Sequence, residues 1–257
     1  MYPYISFFGM NIGTYGVFMT IGICLTFILA VKRGRRFGLI VEDMLIVSAF
    51  ALGVAMLGGS LLYVFVTYTP EQIIQFVRKG DFSFLGSGIV FYGGLIGGVI
   101  GALVGVRIAG CSLISIERAV VPFIPLGHAV GRIGCVMAGC CHGFAYSGPF
   151  AIYYPHSVLG LSPEQGYFPI QPLEALINLV LCGVLLWYER RSKKTTELLL
   201  VYLGLYAICR FVLEMLRGDE GRGIWNMLST SQIVSVLLLV ISVSGVLWLK
   251  KSKTRSA

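Results

Sequence analysis

Two arginines lie within apolar stretches of this sequence, and they are the first residues that suggest chemistry. Arg132 falls in the stretch 120–141, and Arg210 falls in the stretch 198–216. A charged side chain is costly inside a bilayer, so an ionisable residue in a spanning segment is a functional candidate. A planar guanidinium group donates two hydrogen bonds at once, which suits phosphate. The pair therefore predicts a cationic pocket for an anionic lipid headgroup.

The same arginines also allow a purely structural interpretation. Arg210 and Glu214 are four residues apart, so they share a helix face on which they can form an ion pair. A buried ion pair of this kind would tie neighbouring helices together. Arg217 continues the same face. Because one carboxylate does not neutralise two arginines at similar depth, we favour the anion pocket.

The segment 127–143 is the most informative in the chain. It reads Gly-His-Ala-Val-Gly-Arg-Ile-Gly-Cys-Val-Met-Ala-Gly-Cys-Cys-His-Gly. Its glycines let backbones approach closely, either for helix packing or for a ligand. His128, Arg132 and Cys135 have helical spacing, so one helix face would present all three side chains.

The cysteines at the end of this segment have several interpretations. Cys140 is a candidate reactive thiol, because a neighbouring imidazole or arginine favours the thiolate. Small-residue packing with unreactive thiols is the alternative. A metal site needs three or four convergent ligands. Cys140 and Cys141 are adjacent, and adjacent side chains usually point apart on a helix, so we predict no metal site.

Two tyrosines are candidates at the ends of apolar stretches. Tyr92 lies in Phe-Tyr-Gly-Gly-Leu-Ile-Gly-Gly at 91–98, and Tyr15 lies in the first stretch. A phenol hydroxyl donates or accepts a hydrogen bond, but it is also a common membrane-interface anchor. The glycines of 91–98, followed by Gly101 and Gly105, predict a helix face suited to tight packing.

Composition places these residues in a membrane. Of 257 residues, 56% are hydrophobic and 12% are charged, with a mean hydropathy of +0.84. Soluble domains carry about 25% charged residues. This excludes a soluble globular enzyme, a nucleic-acid binder and a disordered chain. The seven cysteines have no spacing that indicates a disulfide framework.

The apolar stretches predict an all-α polytopic membrane protein with a single transmembrane domain over 1–257. A spanning helix needs about 20 residues. Between the second and third stretches, residues 70–78 predict a short amphipathic helix, on the outer leaflet or packed on the bundle. The seven candidate spans are 12–31, 43–68, 88–110, 120–141, 172–188, 198–216 and 233–249.

The distribution of basic residues predicts the orientation. Fourteen lysines and arginines fall on one side of the predicted spans and four on the other. Basic residues accumulate in cytoplasmic loops. We therefore expect the N-terminus outside, the C-terminus in the cytoplasm, and residues 143–170 as an extracytoplasmic segment between the fourth and fifth spans.

Taken together, these segments resemble the prolipoprotein diacylglyceryl transferase family, bacterial membrane enzymes that begin lipoprotein maturation. The resemblance runs over nearly the whole chain. The segments that carry it are Tyr15-Gly16, Phe91-Tyr-Gly-Gly-Leu-Ile-Gly97, Pro125-Leu-Gly127, Gly131-Arg-Ile-Gly134, Gly139, Gly143, Phe150 to Pro155, Gln171-Pro172, Tyr206, Arg210-Phe-Val-Leu-Glu214, Arg217 and Ser231-Gln232.

The resemblance implies a function. The family transfers a diacylglyceryl group from phosphatidylglycerol to a cysteine thiol of a lipoprotein signal peptide, and it releases glycerol-1-phosphate. It implies a multi-pass protein of the bacterial cytoplasmic membrane, with phosphatidylglycerol and a prolipoprotein as partners and without a cofactor or a nucleic-acid partner. Preorganised cations in a dry site would stabilise the departing phosphate in the transition state.

The resemblance also implies roles for individual residues. Arg132 and Arg210 match essential arginines of the family. Tyr92 and Cys140 are the other two candidate catalytic residues. Each occupies a position of a family motif, although the family has a different residue there. The candidate substrate-binding residues are Tyr15, Gly94, Cys135, Gly143, Gln171, Glu214 and Arg217.

Several motif positions depart from the family pattern. Tyr92 replaces a family histidine, Cys135 and Cys140 replace an asparagine and a glutamate, and Gln171 replaces the histidine of a His-Pro pair. The acceptor thiol must lose its proton to attack. Phosphate handling is therefore retained while proton handling has changed. The candidates for a replacement base are His128, His142, His156 and Glu174.

Two alternatives follow from these departures. The first is a paralogue that binds the same anionic phospholipid but transfers to another acceptor, with Cys140 as a covalent nucleophile. The second is a lipid-binding or transport protein without chemistry. Transporters usually contain two internal repeats with broken helices, and this sequence has no such self-similarity. We therefore favour the diacylglyceryl transferase.

Overall fold

The computed structural model describes residues 2–7, 9–86, 88–191, 197–218, 224–225 and 228–255. The chain forms two compact units. The first unit comprises Met1–Ala30 and Glu117–Ala257, and the second comprises Val31–Ile116.

The described residues are mostly helical. The helices are α1 Thr14–Gly34, α2 Val41–Thr67, α3 Pro70–Lys79, α4 Phe91–Ala109, α5 Leu113–Val120, α6 Ile124–Ala138, α7 Ile170–Arg191, α8 Leu198–Glu214 and α9 Thr230–Arg255. Three antiparallel strand pairs are β1 Tyr4–Phe7 with β2 Met10–Gly13, β3 Ile152–Tyr153 with β4 Gly166–Tyr167, and β5 Ile224–Trp225 with β6 Leu228–Ser229.

Six helical segments of the described chain are long and apolar enough to cross a membrane. This confirms a mostly helical, multi-pass membrane protein. The stretch predicted at 198–216 forms α8, whose 17 residues are near the lower limit of about 17 for a spanning helix. The six segments are Thr14–Phe37, Val41–Thr67, Phe91–Ala109, Leu113–Ala138, Ile170–Arg191 and Thr230–Leu249.

The segment predicted at 120–141 is broken near its start. The chain passes from α5 through a 3₁₀ turn, Val121–Phe123, into α6. Pro122 and Pro125 lie in the first turns of these two elements. Proline lacks an N–H group, so it is tolerated there and interrupts a continuous helix.

In the first unit, α6 packs closely on α1 through glycines. A Cβ atom at Gly134 would lie 2.9 Å from the Cβ of Phe18, and one at Gly131 would lie 2.9 Å from the Sδ of Met19. The helix packing that these glycines allow is therefore present. The contact at Gly134 also brings the backbone of Tyr15 against α6.

In the second unit, α4 packs on α2 along a glycine face, as the sequence predicts. A Cβ atom at Gly105 would lie 2.8 Å from the Cα of Val47, and one at Gly101 would overlap the carbonyl oxygen of Phe50. Gly93 and Gly97 continue this face, one helix turn apart. The absence of side chains therefore permits close approach of the two backbones.

The short helix predicted at 70–78 is present as α3. Thr69 and Gln72 form a reciprocal capping box at its start. The Phe76 ring stacks on Phe84 and meets Tyr68 edge-on, with ring centroids 5.3 and 5.5 Å apart. The apolar face of α3 is thus partly packed within its own unit.

Candidate active site

The two intramembrane arginines meet in a buried ion-pair cluster within the first unit. Arg132 Nε lies 2.6 Å from Glu174 Oε2, and Arg210 Nη1 lies 2.8 Å from Glu174 Oε1. Arg210 Nη2 also lies 2.5 Å from Glu214 Oε2. All four side chains are at most 13% exposed. One carboxylate of α7 therefore links an arginine of α6 to an arginine of α8.

Local helix geometry places these groups. Arg210 and Glu214 are one turn apart on α8, as predicted. On α7, Gln171, Glu174 and Asn178 are buried polar residues with helical spacing, so they form one polar face. Asn178 Nδ2 donates to the Glu174 carbonyl oxygen over 2.7 Å. This polar face turns Glu174 toward α6 and α8.

The charge balance of the cluster differs from the expectation. The sequence predicts that a single carboxylate leaves one arginine unneutralised, but Glu174 and Glu214 provide two formal negative charges for Arg132 and Arg210. The ion pair that ties helices together is therefore present. Only about 10 Å³ of cavity lies beside the cluster, room for roughly one water molecule. A phosphate group would have to displace a carboxylate from the arginines.

The end of α6 gathers the cysteines. Gly139 has φ +67°, and its N–H donates to the Val136 carbonyl oxygen, while the Cys140 N–H donates to the Cys135 carbonyl oxygen over 3.2 Å. These two bonds define a Schellman motif. In this motif the residue after the glycine contacts the residue five positions earlier. Cys140 is therefore folded back over Cys135.

Cys141 completes a cluster of three thiols. Its φ of +53° is in the left-handed region, which is uncommon for a residue with a side chain. The Sγ atoms of Cys135, Cys140 and Cys141 all lie within 4.8 Å of one another. The expectation that adjacent cysteines diverge is wrong here, because α6 has already ended at Ala138. Divergence of adjacent side chains therefore does not exclude a metal site at these cysteines.

Cationic groups lie close to the cysteine cluster. Arg132 and Arg217 both lie within electrostatic range of the Cys141 thiol. The Tyr15 phenol is half-exposed and also lies within electrostatic range of Arg132 and the three cysteines. The structure therefore brings together four predicted site residues, Tyr15, Arg132, Cys135 and Cys140.

Gln171 holds the cysteine-bearing loop in place. Its Nε2 donates to the Cys140 carbonyl oxygen over 2.8 Å, and its Oε1 accepts from the Tyr154 hydroxyl over 3.0 Å. Both side chains are fully buried. Burial raises the pKa of Tyr154 to about 12, so its hydroxyl stays protonated as a donor. The observed contacts of Gln171 are thus those of a positioning residue.

Gly143 and Arg217 join two loops. They form an antiparallel bridge, flanked by a bond from the Phe144 N–H to the Leu216 carbonyl oxygen. A Cβ atom at Gly143 would lie 2.5 Å from the Phe168 carbonyl oxygen, so a larger residue does not fit. Arg217 does not continue the face of α8 as predicted, because the helix ends at Glu214.

The predicted bases occupy three different places. His128 lines the small cavity beside the arginines. His142 is buried on the Tyr167 ring, with its Nδ1 2.8 Å from the Gly143 carbonyl oxygen. His156 lines a separate open cleft of about 580 Å³. The histidines are therefore not gathered at one point.

Tyr92 and Gly94 lie in the second unit, on α4. The Tyr92 ring is partly buried and meets Phe91 edge-on at 5.6 Å. A Cβ atom at Gly94 would lie 3.5 Å from the Ala55 carbonyl oxygen, an ordinary contact. Their catalytic and substrate-binding roles stay predictions.

Comparison with known proteins identifies the family. The family model described as prolipoprotein diacylglyceryl transferase matches residues 3–248. This chain belongs to the prolipoprotein diacylglyceryl transferase family. The predicted resemblance is therefore confirmed over nearly the whole length of the sequence.

Named members of the prolipoprotein diacylglyceryl transferase family cover the chain almost end to end. A phosphatidylglycerol–prolipoprotein diacylglyceryl transferase of Clostridium tetani is 32% identical over 236 residues, 92% of each chain. A protein named phosphatidylglycerol–prolipoprotein diacylglyceryl transferase 2, from Clostridium perfringens, is 32% identical over 239 residues, 91% of this chain and 89% of the relative. A relative in Clostridioides difficile with the same activity in its name is 27% identical over 244 residues.

In this diacylglyceryl transferase family member, three residues have a larger part in the site than their sequence patterns predict. The sequence predicts Glu174 only as a candidate base. It is, however, an ionisable residue in an apolar helix, and it contacts both arginines. The sequence singles out Cys141 only as the neighbour of Cys140, although a glycine before the two cysteines indicates that a helix ends there. The sequence includes Tyr154 only as part of the family segment from Phe150 to Pro155. No local sequence pattern predicts its hydrogen bond to Gln171.

Proposed function

We propose that this protein transfers a diacylglyceryl group from phosphatidylglycerol to the cysteine thiol of a prolipoprotein signal peptide. The observation that carries the proposal is the family match over residues 3–248. Relatives of nearly equal length bear the name of this activity. The described helices supply the membrane setting that a phospholipid substrate requires.

The chemistry assigns the arginines to the leaving group. The acceptor thiol loses its proton to water and its sulfur attacks the glyceryl carbon. The bond from that carbon to the phosphate oxygen breaks, and glycerol-1-phosphate departs with the electron pair. Arg132 and Arg210 stabilise that negative charge. Glu174 holds both guanidinium groups in place before the lipid binds, and the lipid phosphate then competes with it for them. Burial of the cluster strengthens these interactions.

We also propose the number of membrane-spanning helices and their orientation. Seven helices, including α8, cross the bacterial cytoplasmic membrane as a single domain. The N-terminus lies outside, the C-terminus lies in the cytoplasm, and residues 143–170 are extracytoplasmic. The excess of basic residues on the predicted cytoplasmic side supports this orientation.

Substitution of Arg210 tests the proposal. Arg210→Gln should reduce transfer to a signal-peptide substrate in membranes by at least about a hundredfold, since transition-state charge stabilisation of this kind is worth that much. The matched control is Arg118→Gln, which removes an arginine paired with Glu189 outside the cluster. Transfer is measured per inserted protein, so that stability losses are separated. Undiminished transfer by Arg210→Gln would contradict the assignment.

A paralogue with another acceptor is the second candidate. The observation that favours it is the cluster of three cysteines, two of which occupy positions of family polar residues. Expression in a bacterium depleted of its own diacylglyceryl transferase separates the two. Restored growth and lipoprotein maturation support the prolipoprotein acceptor, whereas failure despite correct membrane insertion supports the paralogue.

A further inference from the structure

The cluster formed by Cys135, Cys140 and Cys141 has the form of a metal-binding site. The three thiols are not in disulfides, and their sulfur atoms lie within 4.8 Å of one another. Zinc–sulfur bonds of about 2.3 Å in tetrahedral geometry place sulfurs roughly 3.8 Å apart. A contraction of at most about 1 Å between sulfur atoms would therefore close the cluster on a single ion.

The chemistry of the donors selects the metal. Soft thiolates favour zinc and monovalent copper over magnesium, calcium and manganese. Three thiolates around Zn²⁺ carry a net charge of −1. Arg132 and Arg217 are close enough to act electrostatically on the cluster, and their positive charges partly compensate that charge, although Arg132 is also paired with Glu174. This compensation favours bound zinc in a partly buried setting.

The backbone around the cluster is held independently of a metal. The Schellman bonds at Gly139 fold Cys140 back on Cys135, and Gln171 Nε2 donates to the Cys140 carbonyl oxygen. Ser157 Oγ donates to the Gly139 carbonyl oxygen over 2.6 Å. Ligand positions fixed by packing and hydrogen bonds are the condition for a well-defined metal site.

We propose that Cys135, Cys140 and Cys141 bind a zinc ion through three thiolates and leave its fourth coordination position for the acceptor thiol. Catalytic zinc sites usually have three protein ligands and one open position. The assignment of the fourth coordination position to the acceptor thiol rests on the proposed function.

Zinc at this position would supply the deprotonation of the acceptor thiol that the proposed reaction requires. A thiol that coordinates zinc is deprotonated, and its proton leaves to water. The coordinated sulfur then attacks the glyceryl carbon. A carbon–sulfur bond forms, the carbon–oxygen bond breaks, and the electron pair goes to the phosphate oxygen. The thioether product binds zinc more weakly than a thiolate and is released.

Metal content tests the site without reference to activity. The full chain is purified in nanodiscs after growth with zinc, and bound metals are measured by elemental mass spectrometry. We expect about one zinc ion per chain. Single Cys→Ser changes at the three positions should lower occupancy at least about tenfold. Cys24→Ala, which removes an exposed cysteine of α1, should leave it unchanged.

Cobalt substitution tests the ligands in the unaltered protein, so the result does not depend on a variant that folds. Chelation followed by Co²⁺ should produce sulfur-to-cobalt charge-transfer absorption in the near ultraviolet, and re-addition of Zn²⁺ should remove it. Zinc below about a tenth of an ion per chain, with no such absorption, overturns the proposal. A disulfide within the cluster would also overturn the proposal. A site that binds Cu⁺ and excludes Zn²⁺ would do the same.

Transfer assays then separate this proposal from the proposed function. Zinc removal should abolish transfer, and zinc re-addition should restore it, while Arg210→Gln should keep its zinc and lose transfer. Unchanged transfer by zinc-free protein overturns the role of zinc and leaves the proposed function intact. Bound zinc in a protein without any diacylglyceryl transfer overturns the acceptor step and the proposed function, but not the metal site.

Discussion

The Glu174 carboxylate contacts two guanidinium groups at once, at 2.6 and 2.8 Å, and is 3% exposed. Removal of one partner from a buried ion pair leaves an uncompensated charge, which costs about 3–5 kcal/mol. The residue therefore contributes to stability, whatever its part in catalysis. Its competition with a phosphate group provides a way to test both roles.

Glu174→Gln should lower the free energy of unfolding by roughly 3 kcal/mol. It also leaves Arg132 and Arg210 with an excess positive charge, so phosphatidylglycerol should stabilise the variant more than phosphatidylcholine does. The measurement is the unfolding midpoint in nanodiscs of each lipid. Glu189→Gln, which removes a carboxylate that contacts Arg118 elsewhere in the unit, should respond equally to both lipids. An equal response of Glu174→Gln would contradict an anion site at the arginines.

The Tyr154 hydroxyl gives a second test at the scale of one residue. Tyr154→Phe removes the donor to Gln171 and should cost about 1 kcal/mol of unfolding free energy. It should also loosen the loop that contains Cys140. This is measured as a faster reaction of the three cluster thiols with a maleimide. Tyr153→Phe, at a side chain that is 49% exposed, is the control and should change neither. Identical behaviour of the two variants would exclude this positioning role.

Glycine spacing determines how the helices of each unit pack. In the second unit, the glycine face of α4 allows the α2 backbone to approach without intervening side chains. In the first unit, the glycines of α6 do the same for α1, and this places Tyr15 beside the arginine and cysteine residues of α6. These faces were visible in the sequence, because small residues repeated every four positions lie on one side of a helix.

Two glycines of α4 form a matched pair for a test of this packing. Gly101→Ala places a methyl group against the Phe50 backbone and should cost about 1–3 kcal/mol of unfolding free energy. Gly98→Ala makes only ordinary contacts, with the Ala55 side chain at 3.5 Å and the Ala51 carbonyl oxygen at 3.8 Å, and should be neutral or slightly stabilising. Thermal unfolding in detergent compares them. Equal losses for both variants would show that the face is not a close contact.

At the scale of the whole molecule, the surplus of basic residues predicts the orientation in the membrane. Green fluorescent protein fused after residue 257 should fluoresce in a bacterial host, and alkaline phosphatase at the same place should be inactive. Alkaline phosphatase inserted at 160–162 should be active, since that segment is expected outside. The reverse pattern would contradict the proposed topology.

The sequence alone determined the properties that depend on composition and on nearby residues. Hydropathy indicated a multi-pass helical protein, helical spacing paired Arg210 with Glu214, and motif order identified the family. Such features are encoded within one or two helix turns or along the chain as a whole. They require no knowledge of which helices are neighbours.

The tertiary structure decided which groups meet. Glu174 contacts two arginines at once because α6, α7 and α8 bring their polar positions together, and no local pattern fixes that alignment. The three thiols converge because the chain reverses at Gly139 and Cys141 adopts a left-handed conformation. Backbone reversal and helix alignment depend on packing between distant residues. The sequence therefore showed which residues are suited to chemistry, and the fold determined how they combine.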